Sequence, residues 1–356
     1  MHIIFDTLNL YYLPQYMPVY KELLKANHTA EFLFYDGIHN DIIEKIVSDN
    51  NLSAHWVNSV EEAIDFYESQ TNVDWVFFAN SFKYLDRLHK VTKSVQLGHG
   101  IGPKSSYYTK SDTPMTVRFV EGNERKKRFD SMYPNDVFVD VGFSKLDPII
   151  NGDFDKLELV KYGLDPNKKT ILYAPTFYPS SIECFPKNWP EDFSKYNVII
   201  KPHYFSMSKV KYRAQQNLLQ HWSSFNNVYL AKVEDYSLVP FLAASDLLIS
   251  DASSALFEFS VLNKPVVWCD FLKLRWSYRG PLYFRFKKRM DKDYGEFSDI
   301  AAHVAKYKYL LDTVEQHLEQ PDILEDTRLK FKERLAGRVD GKASKRIIEY
   351  LVSNNN

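Results

Sequence analysis

Segments rich in apolar residues alternate with amphipathic or polar stretches along most of this chain. Apolar runs of about four or five residues fit buried strands, and the stretches between them are long enough for helices. In the first half, the predicted strands are residues 2–5, 31–35, 54–57, 75–78, 93–97 and 137–141. Because strand, helix and strand in succession form a parallel pair, this alternation restricts the chain to the α/β class.

The same alternation returns in the second half, with predicted strands at 170–174, 197–200, 228–230, 247–249 and 265–268. Residues 147–163 are richer in polar and charged side chains, which is typical of a linker. We therefore expect two Rossmann-like, doubly wound domains at 1–155 and 156–335. Residues 296–353 are predicted to be mainly helical, and the helix at 336–356 could cross back to the first domain. The terminal residues Asn354 to Asn356 are expected to fray.

The composition excludes several classes of protein. A chain of 356 residues with 45% hydrophobic side chains can bury two cores. A formal net charge of -1 argues against a nucleic-acid-binding protein, because such proteins are normally strongly basic. Cys184 and Cys269 are too few for a disulfide framework or a metal cluster, so we predict a reduced, cytoplasmic protein and assign no metal-ligating residues. No apolar window reaches the length of a membrane span, which leaves a soluble or membrane-peripheral protein.

Residues 246–270 predict a strand, a polar turn, a helix and a second strand. Asp251, Ser253 and Ser254 lie in the turn, where backbone N–H groups and the positive end of the helix dipole would face one point. A phosphate is the natural ligand of such a point. Alternatively, one of the two serines is only an N-cap and Asp251 only a turn residue, since these residue types are preferred there anyway. Both interpretations stay open from this segment alone.

Three further polar motifs follow predicted strands, where ligands of parallel sheets bind. The motif at 97–104 has three glycines, His99, which can take a proton near neutral pH, and Lys104, which can meet negative charge. A second motif contains Lys201 and His203, and a third places Thr176 at a strand end. The first two have a simpler explanation: a loop histidine bonded to nearby backbone, and a capping histidine in a surface turn. The third motif alone indicates little.

All four motifs could converge on one cleft. Glu258, one helical turn beyond Ser254, could then reach the hydroxyls of a ribose while the turn holds a phosphate. The alternative is an exposed helix glutamate that interacts with the helix dipole.

With these motifs together, the chain resembles the CDP-glycerol glycerophosphotransferase family, the enzymes that build teichoic acids and related polyol-phosphate polymers. The matching motifs are His99-Gly100 with Lys104, Tyr173-Ala174-Pro175-Thr176, Lys201-Pro202-His203, Asp251-Ala252-Ser253-Ser254 and Arg279-Gly280. The resemblance implies a glycosyltransferase-B architecture, with an acceptor-side first domain, a nucleotide-donor second domain and a nucleotide cleft between them.

The resemblance also implies roles for individual residues. His99 would be the base that activates an acceptor hydroxyl, and His203 would be the second catalytic residue. The residues expected to bind the donor are Gly100, Lys104, Thr176, Lys201, Asp251, Ser253, Ser254, Glu258 and Arg279. The pyrophosphate would be held by the motifs around His203 and Ser253.

The expected function is the transfer of a glycerol-phosphate, or related polyol-phosphate, from a CDP-linked donor to an acceptor hydroxyl, with release of CMP, in the synthesis of a cell-surface polymer or glycan. We predict no cofactor besides this donor substrate, and the need for a divalent metal stays open. The acceptor would be lipid-linked or a glycan. Two alternatives remain: a glycosyltransferase or epimerase that acts on a UDP-sugar, and a non-catalytic binding protein of envelope assembly.

Residues 273–289 are rich in aromatic and basic side chains. Such a segment could contact anionic lipid headgroups at the inner face of the membrane, or a polyanionic acceptor. Alternatively, it is a long loop whose aromatic side chains pack on the domain while its charges stay in water.

Overall fold

The computed structural model describes residues 1–37, 39–251, 253–285 and 295–355. The chain forms two compact units. The first consists of Met1–His99, Ser106–Asp153 and Ala336–Asn356, and the second of Gly100–Ser105 and Phe154–Leu335. The sequence pattern predicts the first domain as one continuous segment, 1–155. The structure differs because 100–105 pack with the second unit, a long-range contact that local sequence patterns do not encode.

The first unit contains a seven-stranded sheet in which all neighbouring strands are parallel. Its strands are β1 His2–Thr7, β2 Thr29–Tyr35, β3 Ala54–Val57, β4 Trp75–Phe78, β5 Lys93–Gln96, β6 Val117–Val120 and β7 Phe138–Asp140. Their order is β3-β2-β1-β4-β5-β6-β7. The sheet therefore reverses its direction of growth between β1 and β4.

Strand β6 was not predicted, because it is short and has a charged residue, Arg118, inside it. The Arg118 guanidinium donates hydrogen bonds to the carbonyl oxygens of Tyr107 and Thr109. These bonds compensate much of the cost of placing a charge in an interior strand.

Helices pack around this sheet. They are α1 Leu13–Lys25, α2 Asn40–Asp49, α3 Val60–Ser69, α4 Leu85–Leu88, α5 Asn123–Met132 and α6 Asp147–Asn151. The central strands contribute the fully buried rings of Phe5, Phe32 and Phe77, with Phe5 stacked on Phe32 at 5.0 Å between ring centroids. This aromatic layer gives the first unit its own core.

The second unit contains a six-stranded sheet that is also parallel throughout. Its strands are β8 Thr170–Tyr173, β9 Asn197–Ile200, β10 Val228–Leu230, β11 Leu247–Ser250, β12 Val266–Cys269 and β13 Ala302–Val304. The order is β10-β9-β8-β11-β12-β13, so this sheet also reverses its direction of growth, here between β8 and β11. The helical prediction is wrong at β13, because pairing with β12 overrides a spacing of apolar residues that also fits a helix.

The helices of the second unit are α7 Trp189–Asp192, α8 Tyr204–Ser208, α9 Arg213–Trp222, α10 Val239–Ala244, α11 Ser254–Val261, α12 Leu310–Glu319 and α13 Glu325–Ala336. Its core includes the fully buried Tyr173, Trp189 and Trp222. Trp189 meets both of the other rings edge-on, at 5.6 and 5.7 Å. Within the described ranges, no helix is both long and apolar enough to cross a bilayer.

The last helix, α14 Ala343–Ser353, packs against α1 in the first unit. The carboxylate of Asp147 accepts hydrogen bonds from the backbone N–H groups of Ala343 and Ser344, at 3.2 and 2.7 Å, and so satisfies two donors at the start of this helix. At its end, Asn355 accepts from the Trp75 indole at 3.0 Å and donates to Asp74 at 2.9 Å. The expected fraying is therefore wrong for Asn355, while Asn356 lies outside the described residues.

Candidate active site

The polar motifs of the second unit lie at the carboxyl edge of its sheet. Lys201 directly follows β9, Asp251 directly follows β11, and Thr176 comes three residues after the end of β8. Strands β8 and β11 are neighbours, and the sheet grows away from them in opposite directions. Such a switch point leaves a crevice between the two loops, and this crevice is where open α/β sheets bind ligands.

Asp251 ties these two loops together. Its Oδ1 atom accepts the backbone N–H of Thr176 at 2.7 Å, and its Oδ2 atom accepts both the N–H and the hydroxyl of Ser181 at 2.9 Å. The side chain is 0% exposed, and this burial raises the pKa of Asp251 to about 6. Asp251 was expected to contact the donor. In the structure its oxygens are directed at the loop after β8 and position that loop, and a contact with the donor stays a prediction.

Ser253 is the N-cap of helix α11, and its hydroxyl oxygen accepts the Ala255 N–H at 3.3 Å. Its own N–H donates to the Asp251 carbonyl at 2.6 Å. The capping interpretation is thus correct for Ser253. Capping does not exclude an anion at the same helix start, since the helix dipole and the first-turn N–H groups remain directed there. Ser254 is the first residue of α11, and Ala252 lies outside the described residues.

Residues 100–105 reach the same edge of the second unit. Gly102 has a φ of 102°, and a Cβ atom at this position would overlap the ring of Phe257 in α11. Only glycine permits this close approach. It brings Lys104 near Asp251, whose pKa the lysine charge lowers slightly against the larger effect of burial. Gly100 is buried and Lys104 is half-buried.

His203 is the N-cap residue of α8, and its Nδ1 atom accepts the backbone N–H of Phe205 at 3.1 Å. Since a backbone N–H can only donate, Nδ1 must be unprotonated, and the neutral ring carries its proton on Nε2. The ring also packs beside Phe177, with 4.7 Å between centroids. The structure thus agrees with the capping interpretation and, in addition, makes Nε2 a hydrogen-bond donor.

His99 lies in the first unit, three residues after β5. Its Nδ1 atom lies 3.2 Å from the carbonyl oxygen of Ala79. A carbonyl can only accept, so Nδ1 carries the proton and the lone pair of the neutral ring is on Nε2. The rings of Tyr11, Tyr12 and Tyr107 surround it at 5.5 to 5.6 Å. His99 and His203 are therefore held in opposite tautomers.

The other predicted residues have different environments. Thr176 is buried, and Lys201 is half-buried, with its backbone N–H donating to Tyr173 at 2.9 Å. Arg279 is exposed, and its Nε atom donates to the Leu274 carbonyl at 2.7 Å. The structure therefore places Lys201 at the edge of the sheet and Arg279 in the aromatic and basic segment.

Glu258 differs from expectation. Its side chain is 0% exposed within α11, so the interpretation of an exposed helix glutamate is wrong. Helix α11 is buried along most of its length, which a short apolar helix in the interior of a sheet domain requires. A contact between Glu258 and a ribose stays a prediction, and it would require ligand binding to open the packing around the helix.

The aromatic and basic segment, 273–289, is described as far as Arg285, and residues 286–289 lie outside the described residues. Trp276 is 83% exposed and Phe284 is 50% exposed. Arg275 packs over the ring of Tyr178 at 4.0 Å. The packed aromatic side chains in the described part fit the interpretation of a loop that packs on the domain. The exposed ones fit the interpretation of a segment that contacts lipid.

Ser181 is a residue of the site that the sequence motifs missed. Its hydroxyl contacts both Asp251, at 2.9 Å, and the buried hydroxyl of Tyr173, at 2.8 Å. The adjacent pair Ser180-Ser181 in a loop after a strand was the available signal. Among the residues that the structure describes, no group of three or more His, Cys, Asp or Glu side chains could hold a metal ion.

Comparison with known proteins identifies relatives of the chain. The family model described as CDP-glycerol:poly(glycerophosphate) glycerophosphotransferase matches residues 14–353. The teichoic acid glycerol-phosphate primase of Bacillus subtilis is 30% identical over 213 residues, which cover 54% of this chain and 54% of the relative. The teichoic acid poly(ribitol-phosphate) polymerase of Bacillus spizizenii is 24% identical over 371 aligned positions, covering 94% of this chain and 53% of the relative. The chain thus spans about half the length of these curated relatives.

Solved structures share the fold. The wall teichoic acid polymerase TagF superposes with a TM-score of 0.66 at 17% identity, covering 99% of this chain and 88% of that chain. The UDP-GlcNAc 2-epimerase from Neisseria meningitidis bound to UDP-GlcNAc gives a TM-score of 0.61 at 15% identity, covering 99% and 100%. The expected α/β fold with two Rossmann-like sheets is confirmed. Since the family match covers nearly the whole chain and contains each predicted site motif, this protein belongs to the CDP-glycerol:poly(glycerophosphate) glycerophosphotransferase family.

Proposed function

We propose that this chain transfers a glycerol-phosphate, or a related polyol-phosphate, from a CDP-linked donor to an acceptor hydroxyl and releases CMP. Membership of the family supports the reaction class. The observation that carries the proposal is the pair of opposite histidine tautomers. His99 has a lone pair on Nε2, as a base needs, and His203 has a proton on Nε2, as a donor to phosphate needs.

In the proposed reaction, His99 acts on the acceptor. Its Nε2 atom takes the proton of the acceptor hydroxyl as the hydroxyl oxygen attacks the distal phosphorus of the donor. A new oxygen–phosphorus bond forms, and the bond between this phosphorus and the bridging oxygen breaks. The electron pair leaves with CMP. The bond from Nδ1 to the Ala79 carbonyl stabilises the imidazolium that results.

The second unit would stabilise the charge that develops on the leaving phosphate. His203 can donate through Nε2, and the N-terminus of α11 contributes its dipole and its first N–H groups. Lys201 and Lys104 add positive charge at the same edge of the sheet. Groups that are already oriented need no reorganisation during the reaction, so this electrostatic contribution is expected to dominate the catalysis.

The test is an assay of CMP release with CDP-glycerol and CDP-ribitol as donors and UDP-sugars as competitors. His99→Gln should reduce turnover by about a hundredfold or more, because the general base is lost. His221→Ala is the matched control, since His221 is exposed at the end of α9. Turnover should be unchanged in this control.

Two results would contradict the proposal. Full turnover by a folded His99→Gln variant would show that His99 is not the general base. In a thermal-shift measurement, stabilisation by UDP-sugars but not by CDP-linked polyols would favour the sugar-nucleotide alternative. The fold alone does not distinguish the two functions, because a UDP-GlcNAc 2-epimerase shares it. A binding protein of envelope assembly would instead tolerate loss of both histidines.

We further propose that the acceptor is lipid-linked or a glycan and that the protein works in the cytoplasm, in peripheral contact with the membrane. The exposed Trp276 and Phe284 beside Arg275, Arg279 and Arg285 support this contact. Trp276→Ala should weaken co-sedimentation with vesicles that contain anionic lipid. Val210→Ala, at another strongly exposed apolar residue, should not. Equal binding of all variants to neutral and anionic vesicles would contradict the proposed contact.

A further inference from the structure

Arg118 is an exception to the apolar pattern of the first sheet. It lies inside β6, between the buried residues Val117 and Phe119. Burial lowers the pKa of Arg118 to about 10, and the charge of Arg125 acts in the same direction. A residue that breaks a local rule at such a cost is expected where function requires it. Arg118 is therefore a candidate for a role beyond the fold.

The Arg118 guanidinium holds the backbone around Tyr107. Its Nη1 atom donates to the carbonyl oxygen of Thr109 at 2.9 Å, and its Nη2 atom donates to that of Tyr107. The carbonyl between them, of Tyr108, accepts the hydroxyl of Tyr133 at 2.7 Å. Side chains thus bond three successive backbone carbonyls of this segment. The rigid fork of a guanidinium can hold two acceptors in a fixed geometry, which the point charge of a lysine cannot.

The ring of Tyr107 is fixed as well. The guanidinium carbon of Arg125 lies over it, 5.7 Å from the ring centroid, within the range of a cation–π interaction. Arg125 is itself buried and paired with Glu121, at 2.9 Å between Nη1 and Oε1. The backbone and the side chain of Tyr107 are therefore both held by arginines of the first unit.

Tyr107 in turn contacts His99. The two ring centroids are 5.6 Å apart at an interplanar angle of 87°, the edge-to-face geometry that aromatic rings prefer. The bond to the Ala79 carbonyl fixes only the Nδ1 end of the His99 ring. The direction of Nε2 depends also on the rings packed around it, which are Tyr107 together with Tyr11 and Tyr12.

We propose that Arg118 is a positioning residue for His99 and acts through Tyr107. Arg118 holds the backbone of Tyr107, and the Tyr107 ring restricts the His99 ring. The Nε2 atom of His99 then keeps the direction in which it meets the acceptor hydroxyl. The catalytic meaning of this arrangement rests on the proposed transferase function. The state of the His99 ring can be measured without donor or acceptor.

The experiment compares Arg118→Gln and Arg118→Lys with the wild type, each as the whole chain. Arg118→Lys keeps the charge but loses the planar fork of donors. Arg87→Gln is the matched control, because Arg87 is another arginine of the first unit that holds two partners, Asp65 and Glu68. NMR of the imidazole nitrogens shows which nitrogen of a histidine carries the proton, and comparison with His99→Gln identifies the signals of His99.

A second pair of variants tests the same link at Tyr107. Tyr107→Leu removes the ring edge but leaves Arg118 in place, and Tyr107→Phe restores the ring. We expect Tyr107→Leu to reproduce the effect of Arg118→Gln and Tyr107→Phe to recover most of the wild-type behaviour. This pair decides the question if Arg118→Gln does not fold.

In the wild type, the neutral His99 ring should carry its proton on Nδ1. Arg118→Gln and Tyr107→Leu should also populate the tautomer with the proton on Nε2, and Arg118→Lys should do so to a smaller extent. Their kcat for CMP release should fall about tenfold, because a misplaced base keeps part of its effect. The KM for CDP-glycerol should be unchanged, since the proposed donor-binding residues belong to the second unit.

An unchanged His99 spectrum in Arg118→Gln and Tyr107→Leu would overturn the inference even if turnover falls, because a less stable fold also lowers turnover. A shifted tautomer at full kcat, or an equal effect of Arg87→Gln, would overturn it too. If the wild type releases no CMP but both variants still shift the tautomer, the positioning of His99 stands and the proposed transferase function fails.

Discussion

Thr176 donates its backbone N–H to the Oδ1 atom of Asp251 at 2.7 Å and so connects the loop after β8 with the loop after β11. These loops enclose the switch point of the second sheet. With two further bonds from Ser181, the Asp251 carboxylate fixes the position of a loop that begins 75 residues earlier in the sequence. The geometry of the candidate phosphate site thus depends on a side chain that is itself inaccessible to solvent.

Replacing Asp251 should destabilise the second unit. Asp251→Ala leaves the N–H of Thr176 and two donors of Ser181 without their acceptor inside the protein. We expect a loss of about 3 kcal/mol, since each buried group without a partner costs about 1 to 3 kcal/mol and water enters in part. Urea unfolding followed by the fluorescence of the buried Trp189 and Trp222 measures this loss. Asp299→Ala, at an exposed position, is the control; equal midpoints would show that the carboxylate contributes nothing.

The same carboxyl group predicts a pH dependence of stability. Burial raises the pKa of Asp251 from 3.8 to about 6 in the folded protein. Folding therefore favours the protonated form of Asp251. The stability that the protonated carboxyl contributes is fully present below pH 3.8 and is lost as the pH rises through about 6. The full effect is on the order of 3 kcal/mol, from two pKa units.

The stability of the wild type relative to Asp251→Asn should therefore increase as the pH is lowered from 7 to 4.5. The asparagine does not titrate, so the difference between the two free energies of unfolding isolates this group from the other carboxylates. Urea titrations at several pH values measure it. A difference that does not change with pH would show that Asp251 is not perturbed by its burial.

The two roles of His203 can be separated by substitution. His203→Ala removes both the cap of α8 and the Nε2 donor, whereas His203→Asn retains a good capping residue without a group at the Nε2 position. We expect the asparagine variant to recover about 1 kcal/mol of stability relative to alanine, as a restored cap does. CMP release should stay low in both variants. Recovery of turnover by His203→Asn would show that His203 acts only as a cap.

Gly102 should tolerate no side chain. In Gly102→Ala the new Cβ would overlap the ring of Phe257, and the φ of 102° is unfavourable for alanine. A loss of roughly 2 to 4 kcal/mol follows from steric overlap and backbone strain together. Gly163→Ala is the matched control, because Gly163 has a φ of 74° with no atom within 4 Å of the added Cβ. If both variants melt at the same temperature, the contact between residue 102 and α11 is unimportant.

Local sequence patterns were sufficient for most elements of the fold. Buried strands such as β4 and β11 consist of continuous apolar residues, and their pattern needs no tertiary contact to be recognised. Strands β6 and β13 were missed for opposite reasons. Arg118 interrupts the apolar pattern of β6, while the residues around β13 also fit a helical spacing. In both strands, pairing with a distant neighbour decides the conformation.

The motifs of the candidate site were also visible locally, because polar residues after apolar strands mark the functional edge of a parallel sheet. The sequence by itself determined the α/β class, the two sheets and the identity of His99, His203 and Ser253 as candidates. Only the tertiary structure decided that β8 and β11 are neighbours and that Asp251 faces the loop after β8. It also decided that Glu258 is buried and which nitrogen of each histidine carries the proton. The physical reason is that burial, hydrogen-bond direction and strand order depend on residues far apart in the chain, whereas periodicity and turn chemistry depend on residues close together.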